Sequence, residues 1–141
     1  MLRNETLDDS GLTLKASAAV TSSAAGSVIA DLGDGLVQGN LIVDVTAIDI
    51  ATNDEMYDIV LQLSPDAAFG TAGNIQDAVA INLSCKEAKR TDSDKDDVIG
   101  RYVVPFSNEF GGTVYRYARI YTVVNTTGCS ITYAARLAKA A

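Results

Sequence analysis

Apolar and polar residues alternate with a period of two through most of the chain. In "YDIVLQL", Tyr57, Ile59, Leu61 and Leu63 share one face, with Asp58, Val60 and Gln62 on the other. In "VAINLSC", Val79, Ile81, Leu83 and Cys85 alternate with Ala80, Asn82 and Ser84. In "SITYAARL", Ile131, Tyr133, Ala135 and Leu137 alternate with Ser130, Thr132, Ala134 and Arg136. This pattern predicts half-buried strands, since successive side chains of a strand point to opposite faces. "LIVDVTAIDI", residues 41 to 50, is rich in β-branched residues and apolar on parts of both faces. No long segment carries a clean helical stripe.

The intervening segments carry turn chemistry. "ATNDEM" joins the 41–50 strand to the 57–63 strand and is expected to be a hairpin loop. "NTTG", residues 125 to 128, joins the last two strands and ends in Gly. "SPDAAFGTAGN" is a longer loop punctuated by Pro and Gly. "KEAKRTDSDKDD" is too polar for a core, and "SNEFGG" leads into "TVYRYARIYTVV". The expected fold is all-β. It is an antiparallel jelly-roll-like sandwich or barrel of about seven or eight strands. The first 40 residues are rich in Ala, Ser and Gly. They predict an extended N-terminal arm over 1–15, a short strand near Ala16–Thr21 and another near Val28–Leu32. Residues 16–141 form the single β-domain.

"TVYRYARIYTVV", residues 113 to 124, departs from the pattern because neither face is plainly polar. Tyr115, Tyr117, Arg119, Tyr121 and Val123 share one face; Val114, Arg116, Ala118, Ile120, Thr122 and Val124 share the other. One expectation is a central strand whose arginines reach out past the sheet. The other is a strand with one face on the core and one on another chain, since Tyr and Arg are enriched among interface anchors. The candidate contact residues are therefore Tyr115, Arg116, Tyr117 and Arg119, with Leu2 to Leu12 of the arm reaching a neighbouring subunit.

Composition narrows the partners. A chain of 141 residues is one domain by default and buries about 68–70% of its unfolded surface. The net charge is −7, which argues against nucleic acid, because phosphate binding needs clustered Lys and Arg. Anionic membrane is disfavoured likewise. No apolar run approaches the roughly 20 residues of a membrane span. The opening "MLRNETLDDSGL" carries acids where a secretion signal carries basic residues and then an apolar stretch, so a cytoplasmic origin is expected.

Candidate chemistry is sparse. The chain has no His, which removes Ser-His and Cys-His catalysis and the usual zinc ligands. Cys85 and Cys129 are expected to be small buried side chains, with a disulfide open if their strands are neighbours. Asp92, Asp94 and Asp96 follow a calcium-loop order, yet Asp97 stands where that loop needs Gly and Val103 where it needs Glu. A solvated acidic loop is the expectation. "GDGLVQG" places its third Gly one residue late for a dinucleotide loop and reads as a turn. No cofactor and no enzymatic activity are expected.

Three stretches together resemble one family. "AAGSVIADLGDG", "YDIVLQLSPDAAFG" and "GRYVVPFSNEFGGTVYRYARIYTVVNTTGCSITYAARL" are similar, in order and spacing, to the capsid cement or decoration proteins of tailed bacteriophages. The shared features are a small-residue arm, an Asp-Leu-Gly turn, a strand ending in Ser-x-Asp-x-x-Phe, and an Arg-Tyr hairpin ending the chain. They cover most of residues 16 to 138 and are structural rather than chemical. The resemblance implies a jelly-roll-like homotrimer on the outer face of an icosahedral head. It would be made in the host bacterial cytoplasm, bind the major capsid protein and hold its subunits together. The alternatives are another virion β-domain (a head-fibre base, tail or head-completion protein) and a carbohydrate-binding module. The lack of Trp disfavours the last.

Overall fold

The computed structural model describes residues 6–84, 98–125 and 128–140. Two antiparallel sheets face one another across a single core. The first runs in the order β1 (Thr6–Val20), β11 (Ile131–Ala140), β4 (Gln38–Ile48) and β7 (Gly100–Ser107). The second places two short edge pieces, β2 (Ala24–Ala25) and β3 (Ala30–Asp31), on β10 (Tyr117–Val124), followed by β5 (Met56–Ser64) and β6 (Gln76–Ser84). A small hairpin, β8 (Glu109–Phe110) with β9 (Thr113–Val114), leads from β7 into β10. Among the described residues, seven long strands thus carry the fold and four two-residue pieces finish its edges. The all-β, sandwich expectation holds.

Period-two alternation decides which side chains enter the core. Leu41, Val43 and Val45 of β4 face Tyr57, Ile59, Leu61 and Leu63 of β5 across the sandwich, with Ile131, Tyr133 and Leu137 beside them. Burying each large aliphatic side chain contributes about 1.5–3 kcal/mol relative to exposure. Two tyrosines place their hydroxyls on partners at the core margin. Tyr133 bonds Thr122 of the opposite sheet, and burial pushes its phenol up to about 12, so the hydroxyl keeps its proton. The Tyr57 hydroxyl donates to Asp49 O at 2.6 Å and accepts from Ser130 N at 3.1 Å. That phenol ties together the two links expected to be simple chain reversals.

Those links are not hairpins. β4 and β5 lie in different sheets, as do β10 and β11. The chain therefore changes sheet between β4 and β5, through "ATNDEM", and again between β10 and β11. Among the described residues, the only direct hairpin between long strands is β5–β6. Turn residues report that a chain reverses, whereas the apolar face decides which sheet receives it. Most links between the long strands pass from one sheet to the other, which ties the two sheets into one sandwich.

The N-terminus also departs from expectation. β1 runs from Thr6 to Val20, across the expected boundary at residue 15, and pairs with β11 from Thr6↔Ala140 to Val20↔Ile131. Leu12 and Leu14 are 3% and 0% exposed and join the protein's own core. The period-two signal in "LTLK" is short and sits before a small-residue run, so it reads as an arm. β1 is an edge strand with three register shifts. Lys15 spans the irregular part, donating to Ala18 O at 2.7 Å and Tyr133 O at 2.9 Å, with its ammonium 4.4 Å from the Tyr133 ring centre. A bulged edge carrying a Lys is a poor template for a further strand.

Candidate assembly surface

Three of the sequence motifs meet at one end of the sandwich. The registers place Asp31 of β3 and Ser64 of β5 on either side of Tyr117, and Gln38 of β4 opposite Ser107 of β7. The Asp-Leu-Gly turn, the Ser-x-Asp-x-x-Phe loop and the "SNEFGG" hairpin are thus neighbours. Each is held by a polar side chain. The Asp31 carboxylate accepts from Gly33 N at 2.9 Å and takes Arg116 bidentately, at 2.8 and 2.9 Å. Arg116 also reaches Asp34 at 2.9 Å. In the second loop, Asp66 accepts from Ala68 N at 3.0 Å and Gly70 N at 3.2 Å, which bends Phe69 into the left-handed region at φ 50. In the third, the fully buried Asn108 bonds Gly35, Val37 and Tyr115.

This bracing carries into the outer face of the five-stranded sheet. In β10, Ala118, Ile120 and Thr122 are buried and Tyr117, Arg119, Tyr121 and Val123 point outward, half covered. Small residues enter the core and the large amphipathic ones stay out. Side chains on that outer face fall into rows across the strands. Arg119 Nε donates to Gln62 Oε1 at 2.9 Å, and Gln62 Nε2 donates to Asp77 Oδ1 at 3.2 Å. Four residues along the strand, Asn82 donates to Asp58 beside Val123. Between these polar ladders runs an apolar row: Ala25, Tyr121, Val60 and Ala80. The ladders use their polar groups on one another, which lowers the desolvation cost of covering the face.

The candidate residues separate on this geometry. Tyr117 and Arg119 lie on the outer face, joined by Tyr121. Arg116 is consumed by Asp31 and Asp34, with its guanidinium 5.4 Å from the Tyr117 ring centre, so it braces the fold. Tyr115 packs against the core, and its backbone bonds Asn108 through both N–H and C=O. Leu12 is buried inside the chain and is no free arm residue. Leu2 lies outside the described residues, as do Cys85 and the acidic stretch 92–97. Cys129 is buried. The sequence reading holds Phe69 only as the end of the Ser-x-Asp-x-x-Phe motif and Asn108 only as part of "SNEFGG", with no role for either, and it does not single out Gln62.

The Asp31–Arg116 pair gives a pH test. Hydrogen bonds from Arg116, and then from Gly33, hold the Asp31 carboxyl at about 2 against an ordinary 3.8. A carboxyl depressed in the folded state stabilises above its unfolded value and loses that contribution as pH falls through the folded value. Arg116→Gln is therefore expected to melt below wild type at neutral pH. The gap should close between about pH 3.8 and 2, as followed by circular dichroism. A gap constant with pH would assign the effect to packing.

The other sheet presents a different outer face. Asp44 receives Arg101 at 2.7 and 3.2 Å and Arg136 at 3.2 Å, and the Arg101 hydrogen bonds are the main cause of its lowered carboxyl pKa. Val103, 53% exposed, stands beside this cluster on β7. Among the described residues, no group of His, Cys, Asp and Glu side chains could hold a metal, and no helix is long and apolar enough to cross a membrane. Neither a protein-family model nor a curated protein matches the chain.

Proposed function

We propose that this chain is a structural assembly protein: a capsid cement protein that binds the outside of an assembled icosahedral head as a homotrimer and staples major capsid protein subunits. The observation that carries the proposal is the outer face of the five-stranded sheet. There the apolar row through Tyr121 is framed by two hydrogen-bonded ladders. Such a face is stable while wet and cheap to dry, which suits a protein soluble before assembly and sandwiched after it. The order of the three bracing motifs, which resembles that of the phage cement proteins, supplies the choice among assembly roles. The mechanism is mass action. A ligand that binds only the assembled shell shifts the equilibrium toward it, and many copies on one lattice act together.

The test combines solution mass with binding to expanded, cement-free shells. Light scattering is expected to give three times 14.8 kDa, and shells are expected to bind hundreds of copies each. Tyr121→Ala should weaken binding by about 2 kcal/mol, roughly thirtyfold, as for an interface anchor. Its melting temperature should stay close to wild type. Val103→Asp, on the opposite sheet, should bind normally. A monomer without affinity for shells would sink the proposal, and the reverse pattern of variants would move the contact to the four-stranded sheet. A few copies per particle would favour a fibre-base or head-completion role.

A further inference from the structure

We infer that Arg119 is a pre-organised receptor for a carboxylate of the partner protein; this rests on the outer face of the five-stranded sheet being the contact surface. The guanidinium is fixed twice. Its carbon lies 4.3 Å from the Phe69 ring centre, and its Nε donates to Gln62 Oε1 at 2.9 Å. Gln62 is held in turn, because its Nε2 donates to Asp77. Phe69 is held by the Asp66 loop, whose first residue donates its N–H to Ser64 Oγ at 3.0 Å. The loop accepts a left-handed, non-glycine Phe69, a strained conformation that persists only when its surroundings enforce it. The result is an arginine fork with most of its rotamer freedom removed before any partner arrives.

The fork's working edge is open. Among the described residues, the two Nη atoms of Arg119 donate to nothing, and neither is a buried orphan. The contrast with the other described arginines is direct. Arg101 and Arg136 meet Asp44, and Arg116 meets Asp31 and Asp34. In a chain with seven more acidic than basic residues, an internal carboxylate is the easy partner. Arg119 is held instead by an amide and a phenyl ring, which position it without neutralising it.

The ligand class follows from charge. A planar fork fits a carboxylate or a phosphate through two parallel N–H···O bonds. Here one cation opens a ladder that ends in Asp77, and the second ladder on this face carries Asp58. That balance suits a single negative charge and repels a dianion. The flanking Tyr117 and Tyr121 exclude water on closure. The occupant is therefore an Asp or Glu side chain of the partner.

The test follows the Arg119 Nε–H signal of the full ¹⁵N-labelled chain by NMR, with acetate, chloride and inorganic phosphate added at matched ionic strength. Acetate is expected to shift it saturably, chloride not at all and phosphate less than acetate. Gln62→Ala, which frees the fork, should weaken the acetate response about tenfold, a change of about 1.4 kcal/mol. In the shell-binding assay, Arg119→Ala should lose affinity, and Arg119→Lys, which keeps the charge but not the fork, should fail to restore it. No acetate shift, an equal chloride shift, a stronger phosphate shift or full rescue by Arg119→Lys overturns the receptor. If acetate shifts the signal while the protein binds no shell, the receptor stands and the capsid proposal falls. Normal shell binding without an acetate response has the opposite meaning.

Discussion

Asn108→Ala is expected to lower the unfolding free energy by about 3 kcal/mol, seen as a lower urea midpoint at an unchanged slope. Asn108 is 0% exposed and sits where three segments meet. Its Nδ2 donates to Gly35 O at 3.1 Å and Tyr115 O at 2.8 Å, and its Oδ1 accepts from Val37 N at 2.8 Å. Alanine removes all three bonds and leaves only the backbone contacts to Val37 and Tyr115. An unmade buried bond costs about 1–3 kcal/mol. Gly35 is exposed, so water relieves part of the loss, and about 1 kcal/mol per bond is the better figure. Asn108→Asp separates the donors from the acceptor. It keeps the bond from Val37, yet turns a carboxylate toward two carbonyl oxygens. That raises its folded-state pKa, so the variant should be steadiest in acid and lose stability as pH rises through that value. An alanine variant within about 0.5 kcal/mol of wild type, the range of ordinary surface changes, would show that Asn108 fills space and little more.

This hub explains both what the sequence discloses and what it hides. Strand identity was legible because one face of each strand is apolar: Tyr57, Ile59, Leu61 and Leu63 are all buried as the alternation requires. The same pattern resolves "TVYRYARIYTVV". Ala118 and Ile120 enter the core because their neighbours across the sheet, Leu63 and Leu61, do so. Sheet membership was not legible, since "ATNDEM" and "NTTG" look alike whether a chain folds back or crosses over. Nor was the role of Arg116 distinct from that of Arg119. Their difference lies in residues 31, 34, 62 and 69, more than 45 positions away. Asn108 was hidden for the same reason, as a short polar residue in a Gly-rich hairpin reads as solvated until its partners are placed.

Gly39→Ala is expected to be as damaging as the loss of the hub, although it adds a single methyl group. Gly39 lies in β4 between Lys139 of β11 and Phe106 of β7. A Cβ at this position would stand 2.0 Å from Ala138 O and 2.9 Å from both Ala138 C and Lys139 Cα. These are backbone atoms, so no side chain can swing aside. β11 cannot easily withdraw, because β1 pairs along its far edge. In an unconstrained site, Gly→Ala stabilises by about 0.4–1 kcal/mol through the unfolded chain. Overpacking costs about 1–3 kcal/mol, and a clash with backbone belongs at the upper end, so the clash wins. Gly35→Ala is the control, with no atom within 4 Å of its Cβ, and should be neutral or slightly stabilising by urea denaturation. The two damaging sites are linked. The β4–β7 register sets Gln38 opposite Ser107, one residue from Asn108, so a displaced β4 also pulls Val37 from the hub. Gly39→Ala combined with Asn108→Ala should therefore cost less than the sum of the two, by at least about 0.5 kcal/mol. Full additivity would mean that the end carrying the motif loops is braced independently of the sheet beneath it.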